Sequence, residues 1–66
     1  MMDFKPLWKI LIDKEMSKKD LADMANITPA TISRMKNKNN VSVITLMKIS
    51  KAIDVPMDSL FTVLDE

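Results

Sequence analysis

The chain has 66 residues, 47% of them hydrophobic, with ten basic and nine acidic side chains and a formal net charge of +1. A domain of this size buries only about 60% of the surface it exposes when unfolded, and with neither Cys nor His it has no disulfide, no thiolate or imidazole metal ligand and no imidazole base. Those absences argue against an enzyme, a metal centre or a bound cofactor, and they leave apolar helix packing, reinforced by a second copy of the chain, as the source of stability.

Helical spacing dominates the sequence, and the expected fold is all-α: a compact five-helix domain spanning residues 1–66. Helix 1 is expected from about Phe4 to Glu15, with Pro6 in its first turn and Phe4, Leu7, Ile10 and Leu11 as an apolar stripe edged by Trp8. Helix 2 spans about 18–25. Ser17 caps it, Asp20 three residues on completes a capping box, and Leu21, Met24 and Ala25 face inward. Asn26 ends it. Since the chain has no Gly, tight turns fall to Asn and other residues that tolerate the left-handed region.

Thr28-Pro29 is the clearest local signal, a good N-cap followed by the residue favoured at the first helical position. Helix 3 therefore covers about 29–36, with Asn37 as its C-cap and Lys38, Asn39 and Asn40 as a polar loop. Ser42 caps helix 4, about 43–53, where Val41 and Leu46 can form a hydrophobic staple and Leu46, Ile49, Ser50 and Ile53 face inward. Pro56 breaks the chain before a short helix 5, about 57–61. Thr62, Val63 and Leu64 have β-propensity but make too short a run to assign. The N-terminal apolar run Leu7–Ile12 is broken by Lys9 and is far too short for a bilayer, so a cytoplasmic protein without membrane contact is expected.

Charge is unevenly spread. Residues 17–40 carry five basic and two acidic side chains, a net +3, and the remainder carries −2. The same third of the chain holds the functional pattern. At 3.6 residues per turn, Ile32 and Met35 share the inner side of helix 3. Ala30, Ser33, Arg34 and Asn37 lie opposite, flanked by Pro29 and Thr31. Small groups around one Arg suit a DNA major groove, where Ala and Thr methyls meet thymine methyls and Arg reads guanine O6 and N7. The capped helix starts at Ser17 and Thr28 offer backbone N–H groups to phosphates, with Lys18 and Lys19 beside the first. Lys36, Lys38, Asn39 and Asn40 lie beyond the far end of helix 3, toward a neighbouring phosphate.

Five segments in register resemble the phage repressor (Cro/C1) helix-turn-helix family: Ser17-Lys-Lys-Asp-Leu-Ala22, Asn26-Ile27-Thr28, Ala30-Thr-Ile-Ser-Arg-Met35, Ser42-Val-Ile-Thr-Leu46 and Ile49-Ser-Lys-Ala-Ile53. The resemblance covers nearly the whole chain and implies a helix-turn-helix at helices 2 and 3 in a stand-alone regulator that binds operator DNA as a dimer. It also implies base-reading positions at Pro29, Ala30 and Arg34, a phosphate near Lys18, and backbone or methyl contacts from Thr28 and Thr31. Two departures stand out: Asn26 replaces the usual Gly of the turn, and Lys36-Asn37-Lys38 replaces a usual Glu-x-Gly.

The resulting expectation is a sequence-specific double-stranded DNA binder, a repressor in preference to an activator, acting on a pseudo-palindromic operator. Plainer readings compete. Arg34, Lys18 and Lys19 could be ordinary surface charges, Pro29 a helix-start residue, Trp8 a packing residue, and Met24 and Met35 simple core. Phe61, Val63 and Leu64 are candidates for a homodimer interface through helix 5 and the tail. Ile44 and Met47, on the outer side of helix 4 next to Lys48 and Lys51, are a second apolar surface. Either the helix 4 surface or the C-terminal one supports the alternative function, an antitoxin- or adaptor-like module with a protein partner.

Overall fold

Hydroxyl side chains open three of the four helices. In the computed structural model, which describes residues 2–63, the order is β1 (Met2–Asp3), α1 (Lys5–Asp13), α2 (Lys18–Ala25), α3 (Pro29–Lys36), α4 (Val43–Ile53), a single 3₁₀ turn (Met57–Ser59) and β2 (Thr62–Val63). Ser17, Thr28 and Ser42 accept the amides of Asp20, Thr31 and Thr45 at 3.0, 3.2 and 3.2 Å, each satisfying one otherwise free N–H at a helix start. At α2 the bond is reciprocated, the Ser17 amide donating to Asp20 Oδ2 at 3.0 Å. No side chain caps α1 at Phe4. Pro6 occupies its first turn, and the Asp3 carboxylate takes the Lys5 amide at 3.0 Å.

The helix ends share one device. Glu15, Asn26, Lys38 and Asp54 all adopt positive φ, between 55° and 61°. After each, the next amide closes back five residues: Met16 to the Leu11 carbonyl (2.9 Å), Ile27 to Ala22 (3.0 Å), Asn39 to Arg34 (2.9 Å) and Val55 to Ser50 (3.2 Å). This is the turn usually given to Gly, made here four times without one. Asn supplies it only at Asn26. Asn37, the expected C-cap of α3, stays at φ −91°, and Lys38 takes the left-handed conformation in the following position.

The core is wholly apolar. Phe4, Leu7 and Leu11 meet Leu21, Ala22 and Ala25 of α2, Ile32 and Met35 of α3, Leu46, Ile49 and Ile53 of α4, and Leu60. No polar or charged side chain is buried among the described residues. One core expectation is corrected: Met24 is 58% exposed, and Ala22 is buried in its place. α2 packs against both α3 and α4, and the small side of the helix, Ala22 with Ala25, lets two neighbours approach.

The fifth helix is not formed. Residues 57–61 hold only the 3₁₀ turn, because Pro56 enters extended (φ −61°, ψ 145°), no side chain caps the start, and Leu60 must already point into the core. Phe61 is half-buried with its ring 6.1 Å from that of Phe4. The β-branched Thr62 and Val63 then continue extended and pair antiparallel with β1, Met2 opposite Val63 and Asp3 opposite Thr62. Among the described residues the architecture is therefore four α-helices and a two-residue ladder rather than five helices.

Candidate nucleic-acid interface

The three-residue span Asn26–Thr28 between α2 and α3 is a consequence of two local choices. Asn26 stops α2 in the left-handed region, and Thr28 with Pro29 starts α3 at once. The Thr28 and Thr31 hydroxyls also bond each other at 3.1 Å. With Ile32 and Met35 fixed in the core, the rest of α3 must face out: Pro29, Ala30, Ser33, Arg34, Lys36 and Asn37 are all exposed, and Thr31 is half-buried. The outward ridge is short-chained except for Arg34 and Lys36. Nothing bulky keeps this helix from lying against another surface.

A concavity flanks the ridge on each side. Between α2 and α3 lies a cleft of about 450 Å³, floored by Ala22, Ile27 and Ile32 and rimmed by Lys18, Lys19, Lys36, Pro29 and Ser33, with Asp23 as its acidic member. Lys36 thus belongs to the side of α3 next to α2, not only to its far end. On the other side, Thr31 and Arg34 share a smaller hollow of about 210 Å³ with Val41, Ser42 and Thr45 at the start of α4. Ser42, expected only as a helix cap, and Thr45, expected in no site role, both line this hollow. Ser42-x-x-Thr45 repeats Thr28-x-x-Thr31, hydroxyl pair included, at 3.1 Å, which marks a helix start, and only the fold sets it beside Arg34.

Electrostatics at the α2 start run against helix stability. Lys18 and Lys19 occupy the first two helical positions, where the dipole favours negative charge. Asp20 is the acidic residue of that first turn. The Ser17 amide, then the Ser17 hydroxyl, and more weakly the charge of Lys19 hold the Asp20 carboxyl below the ordinary carboxylate value. Two cations at the wrong end of a helix are a local cost that packing does not explain, and such costs concentrate at functional surfaces.

Arg34 leans toward the loop, its Nη2 donating to the Asn40 carbonyl at 3.3 Å. Four of the five guanidinium donors are not used in that bond. Lys38, Asn39 and Asn40 are exposed, and the Met2 amide reaches the Lys38 carbonyl at 3.4 Å, so β1 rests against the loop that follows α3. Of the expected interface residues, Val63 is 60% exposed on β2, Phe61 is half-buried on Phe4, and Leu64 lies outside the described residues. On α4, Val43, Ile44 and Met47 are exposed together with Lys48 and Lys51. No described helix is long and apolar enough to cross a membrane.

The sequence profile of the Cro/C1-type HTH DNA-binding domain matches residues 6–66. Among solved structures, the crystal structure of the transcriptional regulator VanUg (form II) is similar, with a TM-score of 0.91 and 26% identity, covering 98% of this chain and 87% of that one. No curated protein matches the chain.

Proposed function

The chain belongs to the family of Cro/C1-type helix-turn-helix DNA-binding domains, and from that membership we propose that it regulates transcription by sequence-specific binding of double-stranded DNA, with α3 in the major groove. The observation that carries the reading is the ridge-and-two-clefts arrangement. A slim α3 face of Pro29, Ala30, Ser33 and Arg34 stands between a lysine-rimmed cleft and a hollow at the capped start of α4. In this reading the ridge meets base edges. Ser17, Lys18, Lys19, Thr28 and Lys36 meet phosphates on one side, and Thr31, Asn37, Lys38, Asn39 and Asn40 hold the backbone on the other.

The proposed site is a pseudo-palindromic operator bound by two copies of the chain, and repression by occupancy is the expected output. The kinship with VanUg, described as a transcriptional regulator, supports regulation as the setting. Arg34 is the one long side chain at the centre of the ridge, so base discrimination rests on it. Pro29 and Ala30 contribute close fit and methyl contact.

Selection from a randomised duplex library at near-physiological salt, with Arg34→Ala run in parallel, tests this. A two-fold symmetric motif that loses preference at one position per half-site in the variant supports the assignment. Enrichment identical in both proteins removes Arg34 from the bases, and no enrichment at all removes sequence-specific binding. A second reading has its own observation: Ile44 is 66% and Met47 56% exposed on one face of α4. That face favours an additional protein partner, which a stable complex without DNA would reveal.

A further inference from the structure

Trp8 and Lys18 sit ten residues apart on different helices, yet the Lys18 ammonium lies 4.8 Å from the centroid of the Trp8 ring. That is within the range of a cation–π contact. The ring is itself held: Trp8 is half-buried and tilted at 51° against the core residue Phe4, centroids 6.4 Å apart. Lys18 therefore borders two surfaces, the groove around Trp8, Leu11 and Met16 on one side and the α2–α3 cleft on the other. Its charge opposes the dipole of α2, and the electron-rich face of an indole is the one feature beside it that offsets this apart from Asp20.

We propose that Trp8 is a positioning residue for DNA binding: its ring fixes the Lys18 ammonium at the rim of the α2–α3 cleft as a preset phosphate ligand. The inference rests on the DNA-binding reading given above. A lysine carries substantial rotamer entropy, most of which must be given up when it grips a phosphate. A side chain already stacked has given up part of that freedom during folding. An ammonium has three donors, so the ring can occupy one side while a phosphate oxygen takes the other. The stack also ties Lys18 to α1, the helix that carries Trp8.

The test is a double-mutant cycle on the full chain, read as affinity for a mixed-sequence duplex at low salt, where phosphate contacts dominate. Trp8→Leu should weaken binding about two- to fivefold, and Trp8→Phe less, because phenyl is the poorer cation–π partner. Neither should matter once Lys18 is Ala. Thermal melts confirm that each variant folds, and Trp8→Phe keeps a ring on Phe4 should Trp8→Leu fail to fold. A readout that a merely structural Trp8 would not produce is the ring-current upfield shift of the Lys18 ε-methylene protons, present in the free protein and retained in the complex. Equal weakening by Trp8→Leu with or without Lys18, no effect of Lys18→Ala, or loss of the upfield shift on adding DNA each overturns the proposal while leaving DNA binding intact. Failure of the unaltered protein to bind any duplex at low salt overturns both.

Discussion

Helices α3 and α4 are built alike and finished differently. Each begins on a hydroxyl cap bonded to a Thr three residues on, each ends in a left-handed residue and a five-residue backbone closure, and each buries an aliphatic inner face. Their outer faces diverge. That of α3 is small and polar around Arg34; that of α4 exposes Val43, Ile44 and Met47 among lysines. The shared features are those the fold needs, since caps and core contacts have no regard for what lies outside. The differing faces are what the fold leaves free, and it is there that recognition can be written.

The comparison breaks most visibly from the inside. Leu46→Ala or Ile49→Ala, both in the core, should cost about 2–5 kcal/mol in urea denaturation, enough to unfold much of so small a domain. Ile44→Ser on the outer face of the same helix should stay within about 0.5 kcal/mol. A cost for Ile44→Ser near the core value would show that this face is covered in solution. Next in size, Arg34→Ala should lose about 1–3 kcal/mol of DNA affinity, measured by fluorescence anisotropy, with its melting curve unchanged. Lys51→Ala on α4, measured in the same way, should keep base preference intact.

The caps test the likeness instead of the difference. Thr28→Ala and Ser42→Ala should each lower stability by about 1 kcal/mol by thermal melting, by similar amounts because they do the same job. Lys38→Gly should go the other way. Relieving a left-handed non-glycine residue should raise stability by about 0.5–1 kcal/mol, while removal of the cation reduces the salt dependence of DNA binding by about one ion. A loss of stability instead would mean that the Lys38 side chain holds the loop. The smallest effect is acid dependence at the α2 start. The carboxyl of Asp20 is depressed in the folded chain, so its contribution is complete above the usual carboxylate range and is lost as pH falls through the lowered value. Asp20→Asn should flatten that part of the acid limb in a pH series of melts.

Much of this was readable in the sequence because local chemistry decided it. Ser17, Thr28 and Ser42 mark their helices through short side chains that can act only on nearby amides, and the outward face of α3 follows from where Ile32 and Met35 must point. What escaped was decided between segments. Met24 is as apolar as a core residue, but α2 buries Ala22 and Ala25 and leaves Met24 exposed, and spacing within α2 does not reveal that. The stretch after Pro56 has helix-compatible residues. Its conformation is set by Leu60 entering the core and by β1, some 60 residues earlier, offering Thr62 and Val63 a partner. The left-handed residues misled for a different reason: backbone closure imposed the conformation on Glu15 and Lys38, which do not favour it, as well as on Asp54, whose short polar side chain tolerates it. In the candidate site, the pairing of Lys18 with Trp8 and the place of Ser42 and Thr45 beside Arg34 needed three dimensions.

Replacing one outer face at a time, with the core untouched, decides which helix carries recognition. One variant replaces the α3 ridge (Ala30→Glu, Ser33→Glu, Arg34→Glu) and another the α4 face (Ile44→Glu, Met47→Glu), and both are titrated with the selected duplex and a scrambled one. Both variants should fold; the α3 variant should lose the difference between the two duplexes, and the α4 variant should keep it. Retained preference in the α3 variant, with preference lost in the α4 variant, would contradict it and place recognition on the other helix.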